Sequence, residues 1–130
     1  MKSKLTRKNP MQVPSPVGKY SHVTIIPKDA TMYAFSGQIG VGQDDQLPQT
    51  LHEQIANTLK NIEMILTAEG MDATQVVKVN IWATEEIDWD YFYQQWEAMF
   101  NDSYPSMTIA YVSALGLPAI KIEIEIWAAK

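Results

Sequence analysis

The sequence predicts an α+β domain in which two helices cover one face of a single sheet, in the order ββαβαββ. Three observations lead there. The chain has 130 residues, 46% of them hydrophobic and 19% charged, which suits one globular domain and leaves no room for two ordinary ones. Two stretches carry apolar residues at helical spacing. The final stretch alternates instead, with Ile120, Ile122, Ile124 and Ile126 on one side and Lys121, Glu123, Glu125 and Trp127 on the other.

Residues 1–18 read as an extended lead-in, and residues 19–130 as the domain. Pro10, Pro14 and Pro16 each fix φ and remove a backbone donor, which disfavours a helix there. Tyr20–Ile26 is rich in β-branched and aromatic residues, and Pro27-Lys28-Asp29 supplies a turn into a second strand, Tyr33–Ile39. The two are expected to pair as a hairpin. A loop with Gly40, Gly42, Asp44 and Asp45 follows. Leu51, Ile55, Leu59, Ile62 and Leu66 place one apolar stripe on a helix over Leu47–Glu69, with Pro48 in its first turn and Gly70 as its stop. Val76–Trp82 is a strand. Asp88 can cap a second helix reaching Asn101, with Trp89, Phe92, Trp96 and Phe100 inward. Met107–Val112 and Ile120–Trp127 complete the sheet. A sheet face that mixes two carboxylates with Trp127 is expected to be covered by another copy of the chain.

Charge narrows the function. Lys2, Lys4, Arg7 and Lys8 crowd the first eight positions and predict a solvated, mobile terminus. Residues 9–130 contain six lysines, fifteen acids and no arginine, so that body should repel a phosphate backbone, and no nucleic-acid partner is expected. No apolar run is long enough to span a membrane, and no apolar stretch follows the basic start, so a cytoplasmic location is expected. The absence of cysteine removes disulfides and thiolate chemistry. His22 and His52 stand 30 residues apart without a ligand-spaced partner, so no metal site is expected.

Four segments carry a family likeness: Gly18-Lys19-Tyr20-Ser21, Phe35-Ser36-Gly37-Gln38-Ile39-Gly40, Val77-Lys78-Val79 and Ile122-Glu123-Ile124-Glu125. In order and spacing they resemble the RidA (YjgF) family from Pro14 onward. The resemblance implies a chorismate-mutase-like fold, a homotrimer with ligand clefts between subunits, and hydrolysis of 2-imino and enamino acids to 2-oxo acids and ammonia without metal or cofactor. It places Glu123 as the residue that positions or activates water. Tyr20, Ser36 and Gly37 would line the cleft, and Ile109 would turn its backbone amide to the ligand.

One position departs. The family's proline, small residue, arginine, small residue reads Pro105-Ser106-Met107-Thr108 here. The arginine that would hold a substrate carboxylate by a two-pronged ion pair is Met107, which offers an apolar stem and a weak sulfur acceptor. Losing such a contact costs roughly 1.5–3 kcal/mol, about ten- to a hundredfold in affinity. Lys19 replaces a proline usual in the family and could bring a cation to the cleft, although a solvated lysine is the favoured reading. Arg7 of another subunit is a second possible replacement. Tyr93 stands where an asparagine is common and makes the pocket more apolar.

Spacing alone also allows plainer readings. Glu123 could be paired with Lys121 or Lys78 on a polar strand face, Tyr20 could cover the sheet, and Ser36 could bond backbone. Gly37 permits close backbone approach. Two functions follow. One is a cofactor-free imine or enamine hydrolase of altered substrate range, with weak or absent 2-imino-acid deamination. The other is a non-catalytic trimer that binds an uncharged or aromatic metabolite.

Overall fold

A computed structural model describes residues 4–130. Six strands and two helices run in the order β1 (Thr6–Lys8), β2 (Val23–Ile25), β3 (Met32–Ala34), α1 (Leu51–Ala68), β4 (Val76–Ala83), α2 (Trp89–Phe100), β5 (Ser106–Tyr111) and β6 (Ile122–Ala129). The main sheet has the order β3-β6-β4-β5, with β4 and β5 parallel and the other pairs antiparallel.

The centre of the sheet follows from strand alternation. Val79 lies opposite Ile126 and Ile81 opposite Ile124, and all four are buried. The apolar stripe of α1 and the Phe92, Trp96 and Phe100 side of α2 pack onto them. Burial of such side chains contributes on the order of 2 kcal/mol each. The opposite face of β4 and β6 presents Lys78, Asn80 and Trp82 beside Trp127, Glu125 and Glu123, with no layer over it.

Both helix limits have local chemical causes. The Thr50 hydroxyl accepts from the Glu53 amide, so α1 begins at Leu51 rather than Leu47, and Pro48 falls outside its first turn. Gly70, at φ +73°, ends it in the left-handed region. Asp88 caps α2 by accepting from the amides of Asp90 and Tyr91, and Asn101 closes it with a left-handed conformation. Gln54 is fully buried yet satisfied: it donates to the Pro48 and Ala119 carbonyls and accepts from the Lys121 amide. It thereby ties α1 to the start of β6.

The amino-terminal third departs from expectation in two ways. The predicted hairpin between Tyr20–Ile26 and Tyr33–Ile39 does not form: β2 pairs with β1, while β3 pairs with β6 at the far edge of the main sheet. Turn residues specify a reversal of direction, but partner choice is set by packing. The second departure is Arg7, which lies on β1 and is not in a solvated tail (Lys2 lies outside the described residues). Its guanidinium donates to the carbonyls of Ala73 and Val76, each at 2.9 Å, and of Ser103, and stands 5.8 Å from the centre of the Phe100 ring. Burial lowers its pKa to about 10. The only arginine of the chain thus fastens the arm formed by β1 and β2 to the segment entering β4 and, through Ser103, to the loop after α2. Arg7→Ala is expected to cost roughly 2–4 kcal/mol in a urea titration, because three carbonyls lose a charged donor, and Arg7→Lys should recover less than half of that.

Candidate active site

Three of the residues singled out in sequence meet on the open side of the sheet. Strand parity sends Glu123 to the uncovered face, opposite Trp82 of β4. On its other side the β3 segment leaves the ladder. Ala34 is opposite Trp127 but Gln38 is opposite Ile124, so one extra residue bulges out between them, at Ser36-Gly37. Gln38 exchanges both backbone bonds with Ile124, whereas the amides of Ser36 and Gly37 donate to no group among the described residues. The Glu123 side chain lies directly on Gly37: a Cβ there would come within 2.7 Å of Cδ and 2.8 Å of Cγ, and closer still to Oε2.

The Glu123 carboxylate has no hydrogen-bond or ion-pair partner among the described residues. Lys121 is committed to Glu85, and the Lys78 ammonium donates to the Thr108 hydroxyl at 2.9 Å. Neither makes the pairing that spacing allowed. Glu125, two residues further along the same face, does have a partner: it accepts from the Asn80 side-chain amide at 3.0 Å.

The remaining residues lie elsewhere. In β5, Met107 is opposite Val79 and Ile109 opposite Ile81, so their side chains belong to the helix-covered face and pack against the core. Pro105 turns its carbonyl away from β4 to accept from Ser21, and the Val112 amide points to Ala83 of β4. Alternation therefore puts the Met107 and Ile109 amides on the free outer edge of β5. Tyr20 reaches this region from the arm, and its hydroxyl accepts from the Val17 amide at 3.3 Å. In one chain β4 separates β5 from β6, a spacing of roughly 10 Å, and the side chains lie on opposite faces.

Lys19 is fixed by one stripe of α2 and is not free in solvent. Its amide donates to the Tyr93 hydroxyl, its carbonyl accepts from the Trp96 indole at 2.8 Å, and its ammonium pairs with Glu97 at 2.8 Å. The Glu97 carboxylate raises its pKa, and the rings of Tyr93 and Tyr104 stand 5.7 and 5.8 Å from the charge. Tyr93 is therefore an anchor for the arm as well as an apolar wall, a role that spacing in sequence gave no means to find. The histidines are likewise engaged: His22 Nε2 bonds the Pro14 carbonyl at 2.7 Å, and His52 stacks on Tyr91 at 4.2 Å. No group of three or more acidic or histidine side chains among the described residues could hold a metal ion. No helix among them is long and apolar enough to cross a membrane.

The profile of the family described as Endoribonuclease L-PSP, which is the YjgF/RidA family, matches residues 10–130. The chain belongs to this family. A rat 2-iminobutanoate/2-iminopropanoate deaminase is 31% identical over 116 residues, covering 88% of this chain and 82% of the relative. An Aquifex aeolicus RutC family protein is 32% identical over 123 residues, covering 92% and 94%. YyfB, a protein of the conserved Rid family from Yersinia pestis, has a solved structure that matches with a TM-score of 0.86 at 22% identity, covering 98% of this chain and 99% of that one. That likeness is one of fold, and the RidA-family domain here is accordingly α+β and chorismate-mutase-like.

Gly37 is the one point of the site where a single methyl group must displace the candidate carboxylate. Gly37→Ala is expected to lower stability by about 1–3 kcal/mol in thermal or urea unfolding and to displace the Glu123 side chain in a crystal structure. Gly116→Ala, where nothing lies within 4 Å, should leave both unchanged.

Proposed function

We propose that this RidA-family chain is a cofactor-free hydrolase of small imines or enamines, working in clefts between the subunits of a homotrimer, with a substrate range altered by Met107. The observation that carries the reading is the Glu123 carboxylate, without a partner among the described residues and seated on a glycine bulge whose two amides also donate to none of them. Its neighbour on the same face, Glu125, by contrast accepts from Asn80. In the proposed step a water bound by Glu123 attacks the imine carbon. The proton passes to the carboxylate, and the C=N electron pair moves to nitrogen. Glu123 then returns the proton to nitrogen, the hydroxyl proton follows it as the O–H pair closes the C=O bond, the C–N bond breaks, and ammonia leaves with the carbonyl product. The amides of Ser36 and Gly37 are placed to steady the polar atoms of the intermediate.

Three considerations support assembly. The open sheet face mixes Trp82 and Trp127 with charges. Glu123 and the β5 edge that bears Met107 and Ile109, with Tyr20 of the arm beside it, cannot converge within one chain but can across two. The relatives named as deaminases resemble the chain over most of its length. Within such a cleft Tyr20 would line the ligand, and the Ile109 amide would be free to donate to it. The second reading, a binding protein for an uncharged or aromatic metabolite, is favoured by Tyr93 and Met107, which replace polar residues of the family with apolar surface.

Ammonia release in a coupled amino-acid-oxidase assay separates the two. Glu123→Gln should lower turnover of 2-iminobutanoate at least about a hundredfold with an unchanged melting temperature, and Met107→Arg should raise it about ten- to a hundredfold. Under the binding reading, neither substitution changes ammonia release.

A further inference from the structure

Resting on that reading of the site, we infer that its preferred ligand is a cation without a carboxylate: the protonated imine of a primary amine rather than the imine of an amino acid. Two facts converge on this, the whereabouts of the positive charges and the residue facing Glu123.

A carboxylate ligand needs a cation, and five cations of the arm, the sheet and the carboxyl terminus are engaged or distant, while Lys4, Lys8, Lys28 and Lys60 lie outside the strands that carry Glu123 and Met107. Lys121 is paired with Glu85, and Lys19 is paired with Glu97. Arg7 is bound to three carbonyls. Lys130 donates to the Glu69 carbonyl at 2.6 Å over the Tyr33 ring. Lys78 shares the open face but lies four residues before Trp82 on β4, roughly 13 Å down the strand from the Glu123 row. A second copy of the chain brings the same commitments, so assembly supplies no free cation from these residues. At the arginine position Met107 offers a thioether.

A cationic ligand meets the opposite situation. Trp82 is the direct cross-strand neighbour of Glu123, and such pairs hold their Cβ atoms about 4.5–5.5 Å apart. An indole beside an unpartnered carboxylate provides an aromatic face and a counter-charge for one cation. Glu125 adds negative charge two residues along the same face. Protonation also makes the imine carbon more electrophilic, so the charge that favours binding favours attack. The balanced reaction is R–CH=NH2+ plus water giving R–CHO plus NH4+. Water forms the new C–O bond and the C=N pair moves to nitrogen. Both water protons then pass to that nitrogen, one relayed by Glu123 and one from the hydroxyl as C=O closes, and the C–N bond breaks to release ammonium. The class of reaction that must supply such a substrate is the two-electron oxidation of a primary amine.

Two nearly isosteric probes of opposite charge test this on the full chain: benzamidinium, a stable planar cation, and benzoate. Binding is read by isothermal titration to wild type, Glu123→Gln and Trp82→Leu, each first checked by circular dichroism. The inference expects benzamidinium to bind at least about tenfold tighter than benzoate. It also expects each substitution to weaken benzamidinium about five- to tenfold while changing benzoate little or improving it. Benzoate binding as tightly or more tightly, benzamidinium binding indifferent to both substitutions, or neither probe binding would overturn it. The outcomes remain distinct from those for the hydrolase itself. Ammonia release sensitive to Glu123→Gln, combined with a benzoate preference, sinks the cation inference alone. Release insensitive to that substitution sinks the hydrolase.

Discussion

The pairing of Val79 with Ile126 and of Ile81 with Ile124 is the constraint on which the rest depends. These four residues bury one face of β4 and β6 under the helices, and a strand has only two faces. Once they point inward, Glu123, Glu125 and Trp127 must point outward, and Trp82 must stand opposite Glu123. The same register carried into β5 turns the Met107 and Ile109 side chains to the helix-covered face. The position of every candidate residue on the sheet is thus a consequence of core packing.

Around that constraint the chain uses bonds to backbone more than ion pairs. Gln54 joins α1 to the approach to β6 through two of them and holds Pro48 with a third, Arg7 joins the arm to the approach to β4, and Lys19 contributes two more beside its pair with Glu97. Exposed ion pairs contribute little to stability, so the directional bonds to carbonyls carry the positioning. The site is what this bonding leaves over. Among the described residues, Ser36, Gly37 and Glu123 retain unused donors and an unused acceptor at the surface, while the buried side-chain polar atoms are satisfied except at Gln75.

The parts legible in sequence are those in which periodicity and burial agree. Leu51 to Leu66 and Phe92 to Phe100 repeat at helical spacing because each helix buries one stripe, and Ile122 to Ile126 alternate because β6 buries one face. The arm was not legible. Its prolines and charges describe a strand and a strap equally well, and β1 earns its place through the long-range bonds of Arg7 to residues 73, 76 and 103. The hairpin expected between β2 and β3 rested on a local turn, while the choice of partner strand was tertiary. At the site, the motif located Glu123 beside Ser36 and Gly37. That its charge is unpaired depends on Lys121 choosing Glu85, a contact across 36 residues that no spacing rule encodes.

Arg7 has a consequence for how the domain is delimited. The family profile begins at residue 10, so the guanidinium that fastens the arm lies upstream of it, although the solved Rid-family structure matches 98% of this chain. A boundary drawn at the profile's edge would cut between the anchor and what it anchors, stranding three carbonyls, while Lys19 stays tied to α2 by its own bonds. Mechanical integrity thus reaches at least three residues beyond the profile's edge.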